Sequence, residues 1–304
     1  MQMPTHEVPV TEIHLNRNIR LFIKREDQIH LEISGNKFWK LFYNINQYLA
    51  REIENPMLIT FGGAFSNHIA AVAALGRDLG IATLGLIRGE ELKHNWHENE
   101  TLTKASADGM HLRFVTRDIY RDKDSLVLKL QSEFPNALII PEGGTNQVAV
   151  NGIQHMLGNA TKSFNYLCTA VGTGGTVAGI SRFAEENQKV LGFKVVKDSS
   201  LEAKVSELSG KENFELIDAA DGGYGKITDG NIRFINSFYD KYGVPLDPVY
   251  TGKMMRKLFE LIEQDFFSEG STILAFHTGG LQGIKGANEM LKKNKRPLIK
   301  TTVK

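Results

Sequence analysis

The segment YLCTAVGTGGT, residues 166–176, places a short apolar run directly before a turn of three glycines and two threonines. The run Tyr166–Val171 is typical of a buried strand, and the residues from Thr176 to Glu186 have the period of a helix. Backbone N–H groups at a helix start bind anions, and glycines let a ligand approach them closely. The turn therefore predicts a site for a phosphate monoester, although it matches neither a Walker A loop nor a G-x-G-x-x-G fingerprint.

The same alternation of short strands and helices runs through the rest of the chain. Further strands are predicted at Met57–Phe61, Ala82–Ile87, Leu112–Val115, Ala137–Ile140, Val190–Val196, Phe214–Asp218 and Thr272–Phe276. Strands joined by helices form parallel sheets covered on both faces, and this many units need two sheets. The predicted fold class is α/β with two open parallel-sheet domains, which bind ligands beyond the carboxyl ends of their strands.

The amino-acid composition limits the kinds of molecule that the protein is expected to bind. The 36 Lys and Arg residues balance 35 Asp and Glu residues, so the formal charge is +1. We expect no nucleic-acid partner, because phosphate backbones are bound by concentrated basic surfaces. The single cysteine, Cys168, excludes an intramolecular disulfide framework. No apolar run approaches the roughly 20 residues of a membrane helix and no signal peptide is visible, so we expect no membrane partner and a soluble, cytoplasmic protein.

A lysine stands at the start of another predicted helix. The segment SGNK, residues 34–37, leads into an amphipathic stretch over Phe38–Ala50. A helix N-terminus disfavours a cation, so the pKa of Lys37 is predicted to be lowered. A partly neutral amine is the nucleophile that carbonyl chemistry requires. The alternative is an ordinary surface lysine.

The segment FGGAFSNH, residues 61–68, forms a third turn between a strand and an alanine-rich helix. Ser66 and Asn67 stand at its N-cap, next to free N–H groups that can hold a carboxylate. The alternative is plain helix capping.

Three other features are weak by themselves. The late segments DPVYTGK, residues 247–253, and HTGG, residues 277–280, place hydroxyl residues beside glycine. His94 and His97 are two residues apart, but no third ligand follows at a recognisable spacing, so we expect no metal site.

Taken together, these segments resemble the pyridoxal-phosphate enzymes of the tryptophan synthase β-like fold (fold type II). More narrowly, the chain resembles the 1-aminocyclopropane-1-carboxylate deaminase / D-cysteine desulfhydrase family. The matching segments are Lys24–Asp27, Gly35–Lys37 with Lys40-Leu41, Ser66–His68, Gly172–Thr176, Asp247–Tyr250 with Gly252-Lys253, and Thr278–Gly280. Their order and approximate separations also agree, so the resemblance spans nearly the whole chain.

The resemblance implies pyridoxal 5'-phosphate as cofactor and a role for each motif. Lys37 is expected to bond covalently to the cofactor aldehyde, and Asn67 to contact its phenolic oxygen. The phosphate is expected to be held by Gly172, Thr173, Gly174, Gly175 and Thr176. Ser66, Asn67 and His68 are expected to bind the substrate carboxylate. Tyr250 and Tyr224 correspond to the active-site tyrosines of the family, and Ser66 joins Lys37 and these tyrosines as a catalytic residue.

Two further cofactor positions, Thr251 and Thr278, favour one subfamily. Deaminases of the family have Glu and Leu there, whereas D-cysteine desulfhydrases have hydroxyl residues. A neutral hydroxyl beside the ring nitrogen suits expulsion of a good leaving group, so we expect β-elimination from D-cysteine to pyruvate, ammonia and sulfide. The alternatives are ring opening of 1-aminocyclopropane-1-carboxylate to 2-oxobutanoate and ammonia, or a non-catalytic binder of a phosphorylated metabolite.

The family's chain path also implies a domain division. The larger, cofactor-binding domain would comprise residues 1–44 and 148–304, and the smaller domain residues 45–147. The cofactor would lie between them, and a homodimer is the expected assembly.

Overall fold

The computed structural model of the protein describes residues 1–301. Its strands, in chain order, are β1 (Val10–Ile13), β2 (Arg20–Lys24), β3 (Met57–Gly62), β4 (Ala82–Arg88), β5 (Met110–Val115), β6 (Ala137–Ile140), β7 (Tyr166–Val171), β8 (Lys189–Lys194), β9 (Phe214–Asp218) and β10 (Thr272–Phe276). Its α-helices are α1 (Asn36–Leu49), α2 (Asn67–Leu79), α3 (Glu100–Ala107), α4 (Arg117–Arg121), α5 (Lys123–Glu133), α6 (Gln147–Gly152), α7 (Gly175–Phe183), α8 (Leu201–Ser209), α9 (Asp229–Tyr242), α10 (Thr251–Glu263) and α11 (Gly283–Lys293).

The strands form two sheets. The larger sheet has the order β1-β2-β10-β7-β8-β9, and all its pairs are parallel except β1 with β2. The smaller sheet has the order β5-β4-β3-β6 and is wholly parallel. The prediction of an α/β fold with two parallel sheets is confirmed. The antiparallel pair at the edge of the larger sheet was not predicted.

The burial of the strands explains why they pair in parallel. In β3 and β7, five of six residues are buried, as parallel strands covered by helices on both faces require. In the smaller sheet, Ile59 of β3 lies opposite Leu84 of β4 and Ile139 of β6. Since a parallel sheet aligns the carboxyl ends of its strands, the turns after β3 and β7 lie at the functional edges of their sheets.

The strands of the smaller sheet all lie between residues 57 and 140, and those of the larger sheet come from both flanking parts of the chain. The predicted domain boundary at residues 44/45 falls inside α1, which packs against both α2 and α6. The division into residues 1–44 with 148–304 and residues 45–147 stays a prediction. Among the described residues, no helix is long and apolar enough to span a bilayer.

A buried glutamate fixes the segment that precedes α1. Glu26 is fully buried; its carboxylate lies 2.9 Å from the Lys24 ammonium and accepts a 2.9 Å hydrogen bond from the Trp39 indole. Its backbone carbonyl accepts a hydrogen bond from the Gly35 N–H. Buried charges are tolerated when they are paired and hydrogen-bonded, so this cluster ties β2 to the first turns of α1.

Two glycines allow the backbone of α1 to touch its neighbours. Gly35 has φ +65°, and a Cβ there would lie 2.0 Å from the Thr278 carbonyl oxygen. At Gly152 of α6, a Cβ would lie 2.1 Å from the Trp39 carbonyl oxygen. Neither backbone oxygen can move aside cheaply, so both positions require glycine where α1 is packed.

The contact at Gly152 gives a stability prediction. Gly152→Ala should lower the free energy of unfolding by about 1–3 kcal/mol, because the added methyl forces α6 away from α1. Denaturant unfolding measures this change. Gly158→Ala is the matched control, since nothing lies within 4 Å of a Cβ built there. Equal losses in both variants would contradict the close approach of α6 and α1.

Candidate active site

An open cavity of about 750 Å³ lies between the carboxyl edges of the two sheets. Its walls come from the start of α1, the turn between β3 and α2, the turn between β7 and α7, and the residues that follow β6. The sequence-predicted site residues on its wall are Lys37, Ser66, Asn67, His68, Gly172, Thr173, Gly174, Gly175, Thr176, Tyr224, Tyr250 and Thr278.

Lys37 lies in the first turn of α1, with its side chain half-buried in the cavity wall. Its ammonium donates a 3.1 Å hydrogen bond to the Asn36 side-chain oxygen. Burial lowers the pKa of Lys37 to about 8, against the opposing charge of Asp247. The pKa of Lys37 is therefore lowered as predicted, but burial rather than the helix N-terminus is the main cause. A substantial fraction of this amine is neutral near pH 8.

The turn after β7 is an anion cradle. Gly174 is the N-cap of α7, with φ +87°, and its carbonyl accepts the first helical hydrogen bond from Ala178. The N–H groups of the three residues between them have no acceptor within the helix, and they point toward its N-terminus. A Cβ on Gly175 would meet the Thr145 hydroxyl at 2.8 Å, so glycine keeps this turn close to its neighbours. Such an arrangement of N–H groups suits a phosphate.

Asn36 and Thr176 join this cradle to the lysine. The Asn36 side-chain NH₂ donates a 2.6 Å hydrogen bond to the Thr176 hydroxyl, and both residues are buried. Lys37 follows Asn36 directly, and its ammonium is bonded to the same amide. The structure therefore brings the predicted nucleophile and the predicted phosphate turn together through one side chain.

Lys40 is a site residue to which the sequence assigned no role. It is 2% exposed, and its ammonium donates to the Gly143 carbonyl at 2.5 Å and to the Thr145 hydroxyl at 2.8 Å. Burial, together with the charges of Lys37 and Lys204, lowers its pKa well below the ordinary value. The ammonium lies 3.1 Å from the Cβ position of Gly175, so an anion in the cradle would stabilise its charge. Its i, i+3 spacing from Lys37 was the available sequence signal.

The N-terminus of α2 forms the opposite wall. Ser66 is its N-cap and accepts a 3.3 Å hydrogen bond from the Ile69 N–H. Ser66 therefore caps the helix, as the alternative interpretation of this segment states, and it also faces the cavity. Asn67 accepts a 2.8 Å hydrogen bond from the Gln282 side chain. The N–H groups of Asn67 and His68 precede the first helical bond, which runs from Ala70 to Ser66. They can receive a carboxylate.

His68 is buried at 1% exposure, and neither ring nitrogen makes a well-formed hydrogen bond among the described residues, although the Pro141 backbone interacts with the ring. Burial and the charges of Lys37 and Lys40 lower its pKa well below the ordinary value. The imidazole is therefore neutral in this site. A buried polar ring without a well-formed hydrogen bond at a cavity wall is unusual, and a bound ligand would satisfy it.

Two tyrosines approach each other across the cavity mouth. The hydroxyls of Tyr224 and Tyr250 are 3.0 Å apart. Burial, with the neighbouring Tyr224, raises the pKa of Tyr250 well above its ordinary value. Tyr250 therefore keeps its proton and can donate it in a hydrogen bond. Tyr224 is 48% exposed, which places it on the solvent side of the pair.

The two threonines predicted beside the cofactor ring are placed differently. Thr278 lies on the cavity wall. Thr251 is fully buried behind that wall, and its hydroxyl donates a 2.6 Å hydrogen bond to the Asp247 carboxylate. That carboxylate also accepts the backbone N–H groups of residues 249, 250 and 251, so it caps α10. Of the two, the structure brings Thr278 alone to the cavity; a cofactor contact of Thr251 stays a prediction.

Two charged residues that the sequence analysis missed also line the cavity. Arg88 is the last residue of β4, and Glu142 follows β6. The Glu142 carboxylate lies 2.8 Å from the Lys123 ammonium. A charged residue at the carboxyl end of a buried parallel strand was the signal that could have identified Arg88.

Several known proteins are similar to this chain in sequence and fold. The model of the pyridoxal-phosphate dependent enzyme family matches residues 2–279. A Pyrococcus horikoshii relative, provisionally named 1-aminocyclopropane-1-carboxylate deaminase, is 32% identical over 86% of this chain and 85% of its own. An Arabidopsis thaliana relative, named bifunctional D-cysteine desulfhydrase/1-aminocyclopropane-1-carboxylate deaminase, mitochondrial, is 28% identical over 89% of this chain and 74% of its own.

A solved structure agrees in fold as well. The crystal structure of an ACC deaminase homologue superposes with a TM-score of 0.81 at 28% identity, covering 96% of this chain and 95% of that one. The family model and that crystal structure each cover most of this chain, including the residues that line the cavity. The chain therefore belongs to the pyridoxal-phosphate dependent enzyme family, with the tryptophan synthase β-like fold of type II.

Proposed function

We propose that this protein is a pyridoxal-phosphate-dependent lyase that removes the β-substituent of a small amino acid. D-cysteine is the leading substrate, and the products are pyruvate, ammonia and sulfide. The observation that carries the proposal is the 2.6 Å hydrogen bond from Asn36 to Thr176, which joins the Lys37 amine to the phosphate cradle.

The residues present fit the cofactor. Lys37 offers an amine whose pKa is lowered to about 8, which suits attack on an aldehyde. The turn from Gly172 to Thr176 offers free N–H groups and hydroxyls for the phosphate, and Lys40 offers a buried positive charge beside them. In this proposal Asn67 contacts the phenolic oxygen and Thr278 the ring nitrogen.

The bound cofactor supplies an electron sink that acidifies the α-carbon of an attached amino acid. The Lys37 amine would then be placed to accept the α-proton at its Nζ atom. Its partly neutral state favours this role, because only the neutral amine can accept a proton.

The N-terminus of α2 holds the substrate in place. The free N–H groups of Asn67 and His68 and the hydroxyl of Ser66 receive the α-carboxylate. His68 is neutral and can donate one ring N–H to that carboxylate, which gives the ring a well-formed hydrogen bond that it otherwise lacks. Tyr250, held protonated, donates toward the leaving group, with Tyr224 bonded to it from the solvent side.

The environment of the ring nitrogen supports β-elimination over ring opening. Thr278 is a neutral neighbour on the cavity wall, and Thr251 is engaged with Asp247. Among the described wall residues, Glu142 is the one carboxylate, and it belongs to the smaller sheet's side. A ring without a carboxylate partner is the weaker electron sink, which suffices for a thiolate leaving group. The name of the Arabidopsis thaliana relative includes D-cysteine desulfhydrase.

The second candidate is 1-aminocyclopropane-1-carboxylate deaminase. It is favoured by the provisional name of the Pyrococcus horikoshii relative, and Ser66 and Tyr250 both face the cavity where the ring would open. For the assembly we propose a homodimer.

Product release tests the proposed activity. Purified protein with its cofactor should release pyruvate and sulfide from D-cysteine, and Lys37→Ala should lower the rate by at least about 100-fold, because the proton acceptor is removed. Lys93→Ala, an exposed lysine, is the control and should change the rate by about twofold or less. Formation of 2-oxobutanoate from 1-aminocyclopropane-1-carboxylate without sulfide from D-cysteine would reverse the ranking. Full activity in Lys37→Ala would refute the role of this residue.

Lys40 gives a separate prediction for cofactor affinity. Lys40→Met should raise the dissociation constant of pyridoxal phosphate about 10- to 100-fold, because a charge-assisted contact with the phosphate is lost. The melting temperature of the cofactor-free variant should change little, because removing a buried cation offsets the loss of its hydrogen bonds to Gly143 and Thr145. Lys129→Met, an exposed lysine of α5, is the control. Unchanged affinity in Lys40→Met would contradict the placement of the phosphate.

A further inference from the structure

Lys253 is a buried cation to which the proposed function gives no role. It is the third residue of α10 and is 1% exposed. Its ammonium donates hydrogen bonds to the Ala220 carbonyl at 2.7 Å and to the Gly223 carbonyl at 2.8 Å. Burial lowers the pKa of Lys253, which means that a cation at this position costs free energy. The two carbonyl acceptors offset that cost, and both belong to one loop.

We call residues 220–225, which follow β9, the tyrosine loop because Tyr224 lies in it. The loop contains two consecutive turns. The Gly223 N–H donates to the Ala220 carbonyl at 3.0 Å, and the Lys226 N–H donates to the Gly223 carbonyl at 3.2 Å. The Lys253 ammonium binds the same two carbonyl oxygens, one from each turn. It therefore joins the two turns to each other and to α10, and Tyr224 lies in the second turn.

The backbone of the tyrosine loop is costly to hold in one conformation. Residues 221, 222, 223 and 225 have positive φ angles between +44° and +123°, and three of them are glycines. Glycine loses more backbone freedom on ordering than any other residue. The Asp221 carboxylate anchors the start of the loop, since it accepts a 2.6 Å hydrogen bond from the Thr228 hydroxyl and lies 3.2 Å from the Arg256 guanidinium. That anchor precedes the second turn, which Lys253 contacts directly.

The start of α10 supports both members of the tyrosine pair. Tyr250 is the N-cap of this helix and Lys253 follows in its first turn, so both belong to one rigid element. The Tyr224 and Tyr250 hydroxyls are 3.0 Å apart, and the centres of the two rings are 6.1 Å apart. Because Tyr224 is 48% exposed, packing holds its side chain only in part. The contact between the hydroxyls therefore depends on where the backbone of the tyrosine loop lies.

We propose that Lys253 is a positioning residue that holds Tyr224 against Tyr250 by binding both turns of the tyrosine loop. This inference rests on the proposed function, in which Tyr250 donates toward the leaving group. When Tyr250 gives up its proton, negative charge develops on its oxygen, and the Tyr224 hydroxyl stabilises that charge by donating a hydrogen bond. A displaced Tyr224 loses this effect, and a displacement of about 1 Å can lower a rate by about 100-fold.

Hydrogen–deuterium exchange of the holoenzyme, followed by mass spectrometry, tests the contact independently of catalysis. Lys253→Met replaces the ammonium with an apolar end on an unbranched chain. The amides of residues 221–226 should then exchange about 10- to 100-fold faster, because the hydrogen bonds from a charged donor are lost. Exchange in β7 should be unchanged. Lys257→Met is the matched control, since this half-buried lysine of the same helix pairs with Glu260 at 3.2 Å; it should leave the exchange of the loop unchanged.

Kinetic constants test whether Lys253 acts through Tyr224. With D-cysteine as substrate, Lys253→Met should lower the kcat of pyruvate release about 10- to 100-fold and change KM by about twofold or less, because the carboxylate site at α2 is untouched. In a Tyr224→Phe background, the same substitution should lower kcat by about twofold or less, since the hydroxyl that it positions is already absent. Lys253→Gln keeps a side-chain donor, so its kcat and its loop exchange should lie between those of the wild type and Lys253→Met. Lys253→Gln also carries the test if Lys253→Met fails to fold.

The two measurements separate this inference from the proposed function. Unchanged exchange of the tyrosine loop in Lys253→Met would overturn the role of Lys253 and leave the lyase standing if pyruvate is released. An unchanged kcat, or the same loss of kcat with and without the Tyr224 hydroxyl, would also overturn it. Faster loop exchange without pyruvate from D-cysteine would support the contact made by Lys253 and refute the proposed activity on that substrate.

Discussion

The start of α1 is held against three neighbours, and the site depends on that placement. The Glu26 carbonyl bonds to the Gly35 N–H, the backbone of Gly35 touches Thr278, and the Asn36 amide bonds to the Thr176 hydroxyl at 2.6 Å. These contacts come from the segment after β2, from the turn after β10 and from the N-terminus of α7. Lys37 follows directly, so its amine is placed beside the phosphate cradle by backbone packing rather than by its own flexible chain.

The electrostatics of the cavity follow from burying several cations together. Burial lowers the pKa of Lys37 and of Lys40, and each of these lysines contributes to the low pKa of His68. Such a wall is costly without a ligand, because buried like charges repel one another and lose their hydration. An anionic cofactor removes that cost. The same charges that weaken the empty protein therefore provide affinity for a phosphorylated aldehyde and leave Lys37 neutral enough to react.

The central strands and the glycine turns could be predicted from the sequence alone. Parallel strands such as β3 and β7 are continuous apolar runs, and the glycine turn after β7 is read directly from residue types. The edge strand β1 was missed because polar residues interrupt it, as an exposed edge permits, and β2 was missed because charged residues flank only three apolar ones. The predicted pKa of Lys37 was right in direction, but its main cause, burial, depends on packing that no local pattern records.

The hydrogen-bond partners of individual side chains were the feature of the site that the sequence predicted least well. Thr251 and Thr278 both stand beside glycine in the sequence, yet Thr251 bonds to Asp247 and Thr278 faces the cavity. Thr251 lies in the first turn of α10, whereas Thr278 lies in the irregular segment after β10. Lys40 on α1 and Arg88 at the end of β4 are recognised as cavity residues only when the fold brings these two elements together. Pairwise contacts between distant segments decided these roles.

The covalent site of the cofactor tests the central claim most directly. Protein mixed with pyridoxal phosphate is reduced with borohydride, digested and analysed by mass spectrometry. The account predicts the cofactor on the peptide that contains Lys37, at the amine of that residue and not of Lys40. A label on Lys40, or on any lysine outside the cavity in place of Lys37, would contradict it.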